Sequence, residues 1–184
     1  MAIITRQDHR FSEHPLIFMQ SDRSLASALE DLMREQRSYM LDNVKLGQAA
    51  PAGTLTLADW STPLHYRRLT QCYSDYLYRN HPDVQQEAKP LQSLWAQWYF
   101  GLLLAPLMLM LLQEPRALKC APHLIHVEFH ENGHPCAFWI DVQEDEEARY
   151  LSAQQRIDRL IQQCLIPAVN GMTQDRKSVC RERV

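Results

Sequence analysis

Residues 123–142 read HLIHVEFHENGHPCAFWIDV and contain the clearest structural signal in the chain. Asn-Gly between two alternating segments is typical of a β-hairpin, because a type I′ turn needs a positive φ at both central residues. Counting outwards from Asn132 and Gly133 predicts the facing pairs Phe129 with Cys136, Val127 with Phe138, and Ile125 with Ile140. These side chains are all apolar, and a one-residue slip would destroy their segregation to one face. The sequence therefore predicts an antiparallel hairpin at about 123–142.

The opposite face of this hairpin is polar. His126, Glu128 and His130 alternate along the first strand, and Trp139 and Asp141 lie on the second. Titratable groups beside a flat aromatic side chain suit a ligand surface or a metal-proximal site. A solvated sheet face shows the same alternation, so both interpretations stay open on the residues alone.

The same segment contains HExxH at 130–134, the signature of zinc metalloproteases. That motif requires a helix, on which histidines four residues apart share one face. Asn-Gly in the middle and Pro135 directly after it are inconsistent with a helix. We therefore expect the two histidines to lie across a turn, and a zinc protease is disfavoured.

The rest of the chain is mostly helical by periodicity and capping residues. Five helices are expected: Leu25 through Val44, Thr56–Trp60, Leu64 to about Tyr78, near Pro90 to Gln113, and Ser152 to near Pro167. Gly47 is the expected stop after the first helix, and Pro106 is expected to kink or split the fourth. The fold class is α+β, a mostly helical body with an antiparallel β-hairpin. Whether the partner strands of the hairpin lie outside this chain stays open.

The segment between Pro90 and Leu112 has no charged residue, and about 20 apolar residues are enough to span a bilayer. Polar residues in its first half and Pro106 favour a buried central helix over a membrane span, with peripheral membrane contact as an alternative. Trp95 in this segment could pack in the core or could form the wall of an aromatic pocket, and we favour core packing. Lys89 and Arg79 are candidate polar groups beside such a pocket.

Composition limits the class of protein. The 184 residues include 19 Lys+Arg and 22 Asp+Glu, a net charge of −3, which argues against nucleic acid as the main partner. The five cysteines are widely and irregularly spaced, which is typical of reduced thiols in the cytoplasm rather than of a disulfide framework. The first residues are too weakly apolar for a signal peptide.

Four segments together resemble FhuF, the bacterial ferric-siderophore reductase family. They are YSDxxYRN at 73–80, KPLxSLWAQWY at 89–99, EFHExG at 128–133 and FWxDV at 138–142, and the resemblance runs from about Leu25 to about Val169. It implies a cytoplasmic protein, with inner-membrane association as an alternative, that reduces Fe³⁺ in hydroxamate siderophores. The implied partners are a ferric hydroxamate siderophore and an unidentified electron donor. The family also resembles siderophore synthetases distantly.

The resemblance further implies a [2Fe–2S] cluster, held in FhuF proteins by a cysteine-rich C-terminal tail. No such tail is present in this sequence, and Cys72, Cys136 and Cys164 each lie on an expected inner face, as core thiols do. Residues 175–184 follow no period and match no family feature, so we interpret them as a non-native tail. The domains are then an irregular segment at 1–20, a siderophore-recognition domain at 21–174, incomplete at its C-terminus, and the tail.

The expected function is siderophore-iron reduction, a one-electron step that releases Fe²⁺, with this fragment inactive alone. The alternative is a non-redox module that binds a siderophore or a nucleotide; a membrane-spanning transporter is a third class. We expect His126, Glu128, His130 and Trp139 to face the ligand. Arg79, Lys89 and Trp95 are expected behind them, with no metal ligands and no assigned catalytic residue.

Overall fold

The computed structural model describes residues 23–179, with side chains through Thr173. The expected N-terminal segment at 1–20 and residues 180–184, including Cys180, lie outside the described residues. The elements in chain order are α1 (Leu25–Arg37), α2 (Met40–Asn43), β1 (Val44–Leu46), β2 (Leu55–Thr56), α3 (Leu57–Trp60), α4 (Pro63–Tyr78), α5 (Ala88–Gln113), β3 (Ile125–Phe129), β4 (Pro135–Ile140), a 3₁₀ turn (Ala148–Tyr150), α6 (Ala153–Leu160), a π-helical turn (Ile161–Leu165) and α7 (Ile166–Val179). The α+β class is confirmed.

The hairpin lies at the centre of a four-stranded mixed sheet in the order β1-β4-β3-β2. β1 runs parallel to β4, and β2 runs antiparallel to β3. Both partner strands therefore come from this chain, which answers the question that the sequence left open. The expectation that Val44 continues the first helix is wrong. Val44 and Leu46 are buried beside β4, because pairing with a strand far away in sequence outweighs a helical spacing that fits by chance.

The turn of the hairpin differs from the expected two-residue type I′ turn. Among the described residues no non-glycine residue has a positive φ, so Asn132 does not meet the type I′ requirement, whereas Gly133 has φ 79°. The Gly133 N–H donates to the His130 carbonyl at 2.8 Å, and the His130 N–H donates to the His134 carbonyl at 2.9 Å. These bonds close a three-residue loop, 131–133, with a left-handed glycine in its last position.

The register is nevertheless the expected one over most of the hairpin. Val127 pairs with Phe138 and Ile125 pairs with Ile140, whereas Phe129 pairs with Pro135 rather than with Cys136. A β-bulge explains both observations: Cys136 is an extra residue on β4, and it offsets the extra residue in the loop. The segregation of apolar from polar side chains is preserved between 125 and 128.

The helices cover one face of the sheet. α5 is a single helix, so the expected split at Pro106 is absent. Its buried residues Trp95, Tyr99 and Leu103 pack with Trp60 and with the buried strand residue Phe138. The Trp60 and Tyr99 ring centroids lie 4.7 Å apart, and those of Tyr99 and Phe138 lie 5.3 Å apart. This aromatic core fixes the position of the sheet against the helical body.

The C-terminal helix continues beyond the residue at which the sequence predicts its end. A π-helical turn separates α6 from α7, and Pro167 lies in the first turn of α7 instead of terminating a helix. A proline clashes with the carbonyl four residues earlier, and the wider π turn relieves that clash. The backbone stays helical to Val179, into the segment for which we expected no regular period.

Candidate functional site

The site begins with a row of side chains across the sheet. Lys45 of β1 pairs with Trp139 of β4, Trp139 pairs with His126 of β3, and His126 pairs with Thr56 of β2. The adjacent row of Val44, Phe138 and Val127 is buried under the helices. Since side chains alternate between the two faces of a strand, the four residues lie on the face away from the core, where each is half-buried. We call them the cross-strand row.

Glu128 joins this face through Trp139. The indole Nε1–H of Trp139 donates to Oε2 of Glu128 at 3.1 Å. The pair is diagonal, because Glu128 faces Ala137 and Trp139 faces His126. His126, Glu128 and Trp139 therefore lie together on one surface, in the arrangement that the alternation in the sequence predicts.

A groove of about 480 Å³ adjoins the cross-strand row at His126. Its wall is formed by the loop between β1 and β2 and by the end of β4; the lining residues are Gly47, Gln48, Ala49, Ala50, Thr54, His126 and Asp141. The Asp141 carboxylate accepts a 3.0 Å hydrogen bond from the side chain of Gln143. One imidazole, one carboxylate and a small-residue loop thus surround a space large enough for a small molecule.

Acidic groups are more numerous than basic ones around this surface. Asp59 lies close enough to His126 for their charges to interact, and hydrogen bonds from Thr56 hold the pKa of Asp59 below its usual value. Lys45 is the basic member of the row, and its ammonium donates to the Leu41 carbonyl at 2.7 Å. With three carboxylates against one ammonium, the surface favours a neutral or cationic ligand over an anionic one.

His130 lies apart from the cross-strand row. It is exposed in the hairpin loop, where its ring stacks on His134 with a centroid distance of 4.8 Å. His134 also contacts the rings of Tyr73 and Trp98. Burial and the neighbouring His130 lower the pKa of His134. As expected, the two histidines of HExxH lie across a turn and not along a helix.

The remaining candidates lie outside the sheet face. Arg79 caps α4, and its guanidinium lies 5.1 Å from the centroid of the Tyr76 ring, while Lys89 is exposed in the first turn of α5. Trp95 has no exposed surface, and its Nε1–H donates to the Gly133 carbonyl at 2.8 Å. This buried position matches core packing, the interpretation that we favoured for Trp95.

Periodicity did not reveal Lys45, Thr56 or the groove. Lys45 was expected on a helix, and Thr56 was interpreted as a helix cap, which it also is, because its hydroxyl accepts from the Asp59 N–H at 3.1 Å. The two-residue strand Leu55–Thr56 has no local signal in the sequence, because it is defined only by its pairing with β3.

The described residues do not fit a [2Fe–2S] cluster. Such a cluster needs four thiolates around two irons. Among the described side chains, which run from residue 23 to Thr173, no three His, Cys, Asp or Glu lie together in a way that could hold a metal ion. Cys120 and Cys164 are buried, and burial raises the pKa of Cys164 to about 12. The described side chains thus contain no set of ligands that fits such a cluster.

Comparisons with known proteins agree with the resemblance. The family described as "Ferric iron reductase FhuF-like transporter" matches residues 93–182, a range that includes β3, β4 and part of the expected tail. A curated relative, "Ferric siderophore reductase" of Escherichia coli (strain K12), is 44% identical over 151 residues, which are 82% of this chain and 58% of the relative. The chain thus spans less than two thirds of that relative's length. The chain is thus similar to the FhuF family over residues 93–182 and to this reductase over most of its own length.

Proposed function

We propose that the chain is the siderophore-recognition part of a cytoplasmic ferric-siderophore reductase, and that a ferric hydroxamate siderophore binds on the cross-strand row and in the groove beside it. The observation that carries this proposal is the meeting of His126, Trp139 and Glu128 on the open face of the sheet, next to the groove. The name of the E. coli relative, a ferric siderophore reductase, supports the siderophore as the ligand.

The charge of this face supports a hydroxamate ligand. Three hydroxamate groups balance the charge of Fe³⁺, so a ferric trihydroxamate is neutral at its metal centre, whereas a ferric tris-catecholate is strongly anionic. Glu128, Asp141 and Asp59 disfavour an anion near the groove. Trp139 offers a flat apolar surface to the ligand backbone, and His126 offers a hydrogen bond.

The reduction itself is proposed as a one-electron step from Fe³⁺ to Fe²⁺, after which hydroxamate oxygens bind the iron less tightly and release it. The electron comes from an unidentified donor. Because the described residues do not fit a cluster, we propose that any [2Fe–2S] group of this family is held outside them. What the described residues contribute is binding and orientation of the complex.

Binding is tested by titrating the chain with ferrioxamine B, a ferric trihydroxamate, and with its gallium analogue, which is not reduced under these conditions. Saturable binding of both, weakened by His126→Ala and by Trp139→Ala but not by the matched exposed control His81→Ala, is expected. A ferric tris-catecholate should bind more weakly. His130→Ala tests whether the hairpin loop takes part, and the absence of trihydroxamate binding would contradict the proposal.

A non-redox binding module is the second candidate, because the groove beside His126 is lined by side chains that can hold a ligand through hydrogen bonds. ATP added to the same titration separates the two. Saturable ATP binding without trihydroxamate binding would support a nucleotide-binding module. Anaerobic reduction of ferrioxamine B by a longer protein of this family that contains this sequence, followed with a ferrous chelator, would support the reductase.

We also propose peripheral contact with the inner membrane. Among residues 23–179, α5 is the one helix long and apolar enough to cross a bilayer. Of its most apolar 18-residue segment, 39% is buried. Leu94, Trp98 and Leu112 are exposed at 39%, 46% and 46%. Release of the protein from membranes by salt, without detergent, is expected of a peripheral protein. Extraction by detergent alone would indicate a span.

A further inference from the structure

Glu128 is half-buried on the ligand-facing surface, and one of its carboxylate oxygens is already engaged. Oε2 accepts the Trp139 indole N–H at 3.1 Å. A hydrogen bond to an ionised acceptor is roughly twice as strong as one between neutral groups. Breaking it to reach a ligand would leave the indole N–H without this partner, which is costly at a half-buried position.

The geometry around Trp139 makes this contact important for the direction of the ring. Trp139 faces His126 across the strands, so its hydrogen bond to Glu128 runs diagonally between β4 and β3. Ala137, which faces Glu128, is buried, and its methyl side chain has no polar group that could bind the indole N–H in place of Glu128. The hydrogen bond to Glu128 is therefore a specific contact that constrains the orientation of the ring.

We propose that Glu128 is a positioning residue, which holds the indole of Trp139 flat on the sheet as a wall for the ligand and does not itself contact the ligand. This inference rests on the proposed function, since it assigns a role within the same site. It also changes the role of Glu128 from the one that the sequence suggests, because a free carboxylate on that face was expected to bind the ligand directly.

The substitution Glu128→Gln distinguishes the two roles. The amide oxygen of glutamine still accepts the indole N–H, but the negative charge is gone. Positioning predicts that Glu128→Gln binds gallium ferrioxamine B within about twofold of the unmodified chain, whereas Glu128→Ala binds roughly tenfold more weakly. Direct charge recognition predicts that both variants lose affinity equally, and that result would overturn the inference. Glu131→Ala, which removes an exposed carboxylate from the same hairpin, is the matched control and should bind normally.

A double-mutant cycle tests whether Glu128 acts through Trp139. Trp139→Phe removes the indole donor. If Glu128 only positions that ring, adding Glu128→Ala to Trp139→Phe should cause no further loss of affinity, measured by calorimetry on the full 184-residue chain. A further loss as large as the one in the unmodified chain would show direct contact and would refute positioning.

A second measurement needs no ligand. In a ¹⁵N-labelled chain, the indole N–H of Trp139 is identified by its loss in Trp139→Phe, and its exchange with solvent is then measured. We expect slow exchange in the unmodified chain and in Glu128→Gln, and fast exchange in Glu128→Ala. Unchanged exchange in Glu128→Ala would overturn the positioning role whatever the binding result. The expected exchange pattern without trihydroxamate binding would overturn the proposed function alone.

Discussion

Gly133 is the residue at which the hairpin loop touches the helical body. Its carbonyl accepts the Trp95 indole N–H at 2.8 Å, and it lies directly against the backbone of α4. A Cβ added at Gly133 would lie 2.2 Å from the Leu69 carbonyl oxygen. Both its positive φ and this close approach therefore require glycine. The same residue closes the turn and fixes the hairpin on the core.

Gly133→Ala should destabilise the fold by about 3 kcal/mol or more, because it adds backbone strain to a clash with main-chain atoms. Gly53→Ala is the matched control: Gly53 has φ 93° but nothing within 4 Å of an added Cβ. That variant should lose only the conformational term of about 1–2 kcal/mol. Urea denaturation of both variants measures the difference, and equal losses would contradict the close approach.

His134 gives the hairpin loop a predictable pH dependence. Burial, and then the nearby His130, lower its pKa below the ordinary 6.5, so the folded protein resists protonation more than the unfolded chain does. Above about pH 6.5 its contribution to stability is fully present. As the pH falls below that value, the unfolded chain binds the proton first, and the contribution is lost through the lowered pKa.

The free energy of unfolding should therefore fall from pH 7.5 to pH 5.5 more steeply in the unmodified chain than in His134→Phe, which lacks the titrating group. Urea denaturation at several pH values measures both slopes. Parallel pH profiles for the two proteins would mean that His134 is not responsible. His81→Phe, in the exposed α4–α5 connection, should leave the slope of the unmodified chain unchanged.

Among the elements, α5 and α7 show how a helical glycine can have opposite roles. Gly101 of α5 is exposed, and an added Cβ meets nothing within 4 Å. Gly171 of α7 packs on the end of α3, where an added Cβ would lie 2.5 Å from the Ser61 carbonyl oxygen. Glycine costs a helix about 0.5–1 kcal/mol relative to alanine. That cost is tolerated at Gly171 because the packing requires it.

Gly101→Ala should thus stabilise the protein by up to about 1 kcal/mol, while Gly171→Ala should destabilise it by about 1–3 kcal/mol through overpacking. The two variants make the same chemical change in two helices, so each serves as the control for the other. Thermal unfolding followed by circular dichroism measures both. Stabilisation by Gly171→Ala would show that α7 does not pack against α3 as described.

The ends of α5 and α6 are joined by a single side chain. The guanidinium of Arg156 donates to the carbonyls of Leu111, Glu114 and Pro115 at the end of α5, at 3.4, 3.0 and 3.0 Å. It also donates to Ala148 and Arg149 of the 3₁₀ turn. The last carbonyls of a helix have no partner within the helix, so a planar, multidentate donor is well suited to this position.

At the scale of the whole molecule, the cysteines report on the integrity of the core. Cys120 and Cys164 are buried, whereas Cys72 and Cys136 are half-buried. Burial raises the pKa of Cys164 to about 12, and it raises the pKa of Cys120 still further. Only the thiolate reacts with alkylating reagents, and burial also blocks their access.

Iodoacetamide at pH 7.5 should therefore leave Cys120 and Cys164 unmodified in the folded chain and should modify both in urea. Mass spectrometry of the digested protein identifies each site. Cys72 is expected to react before the two buried thiols, since it has more exposed surface. Rapid modification of Cys164 without denaturant would show that the helical body opens around it.

The hairpin face was predictable because its determinants are local. Alternation has a period of two residues, and Asn-Gly marks the reversal, so His126, Glu128 and Trp139 could be assigned to one surface before their pairing was known. The exact loop was not predictable. The extra loop residue and the bulge at Cys136 compensate each other, and packing of Gly133 on α4 decides between two turns that give nearly the same register.

The sequence by itself determined the α+β class, the main helices and the separation of apolar from polar side chains on the hairpin, because each depends on spacing between near neighbours. Only the tertiary structure decided that Lys45 and Thr56 complete the row, that His130 lies apart from it, and that the 47–54 loop forms a groove beside His126. Strands of two or three residues have no stability of their own, so their existence depends on partners about 70–95 residues away in the chain.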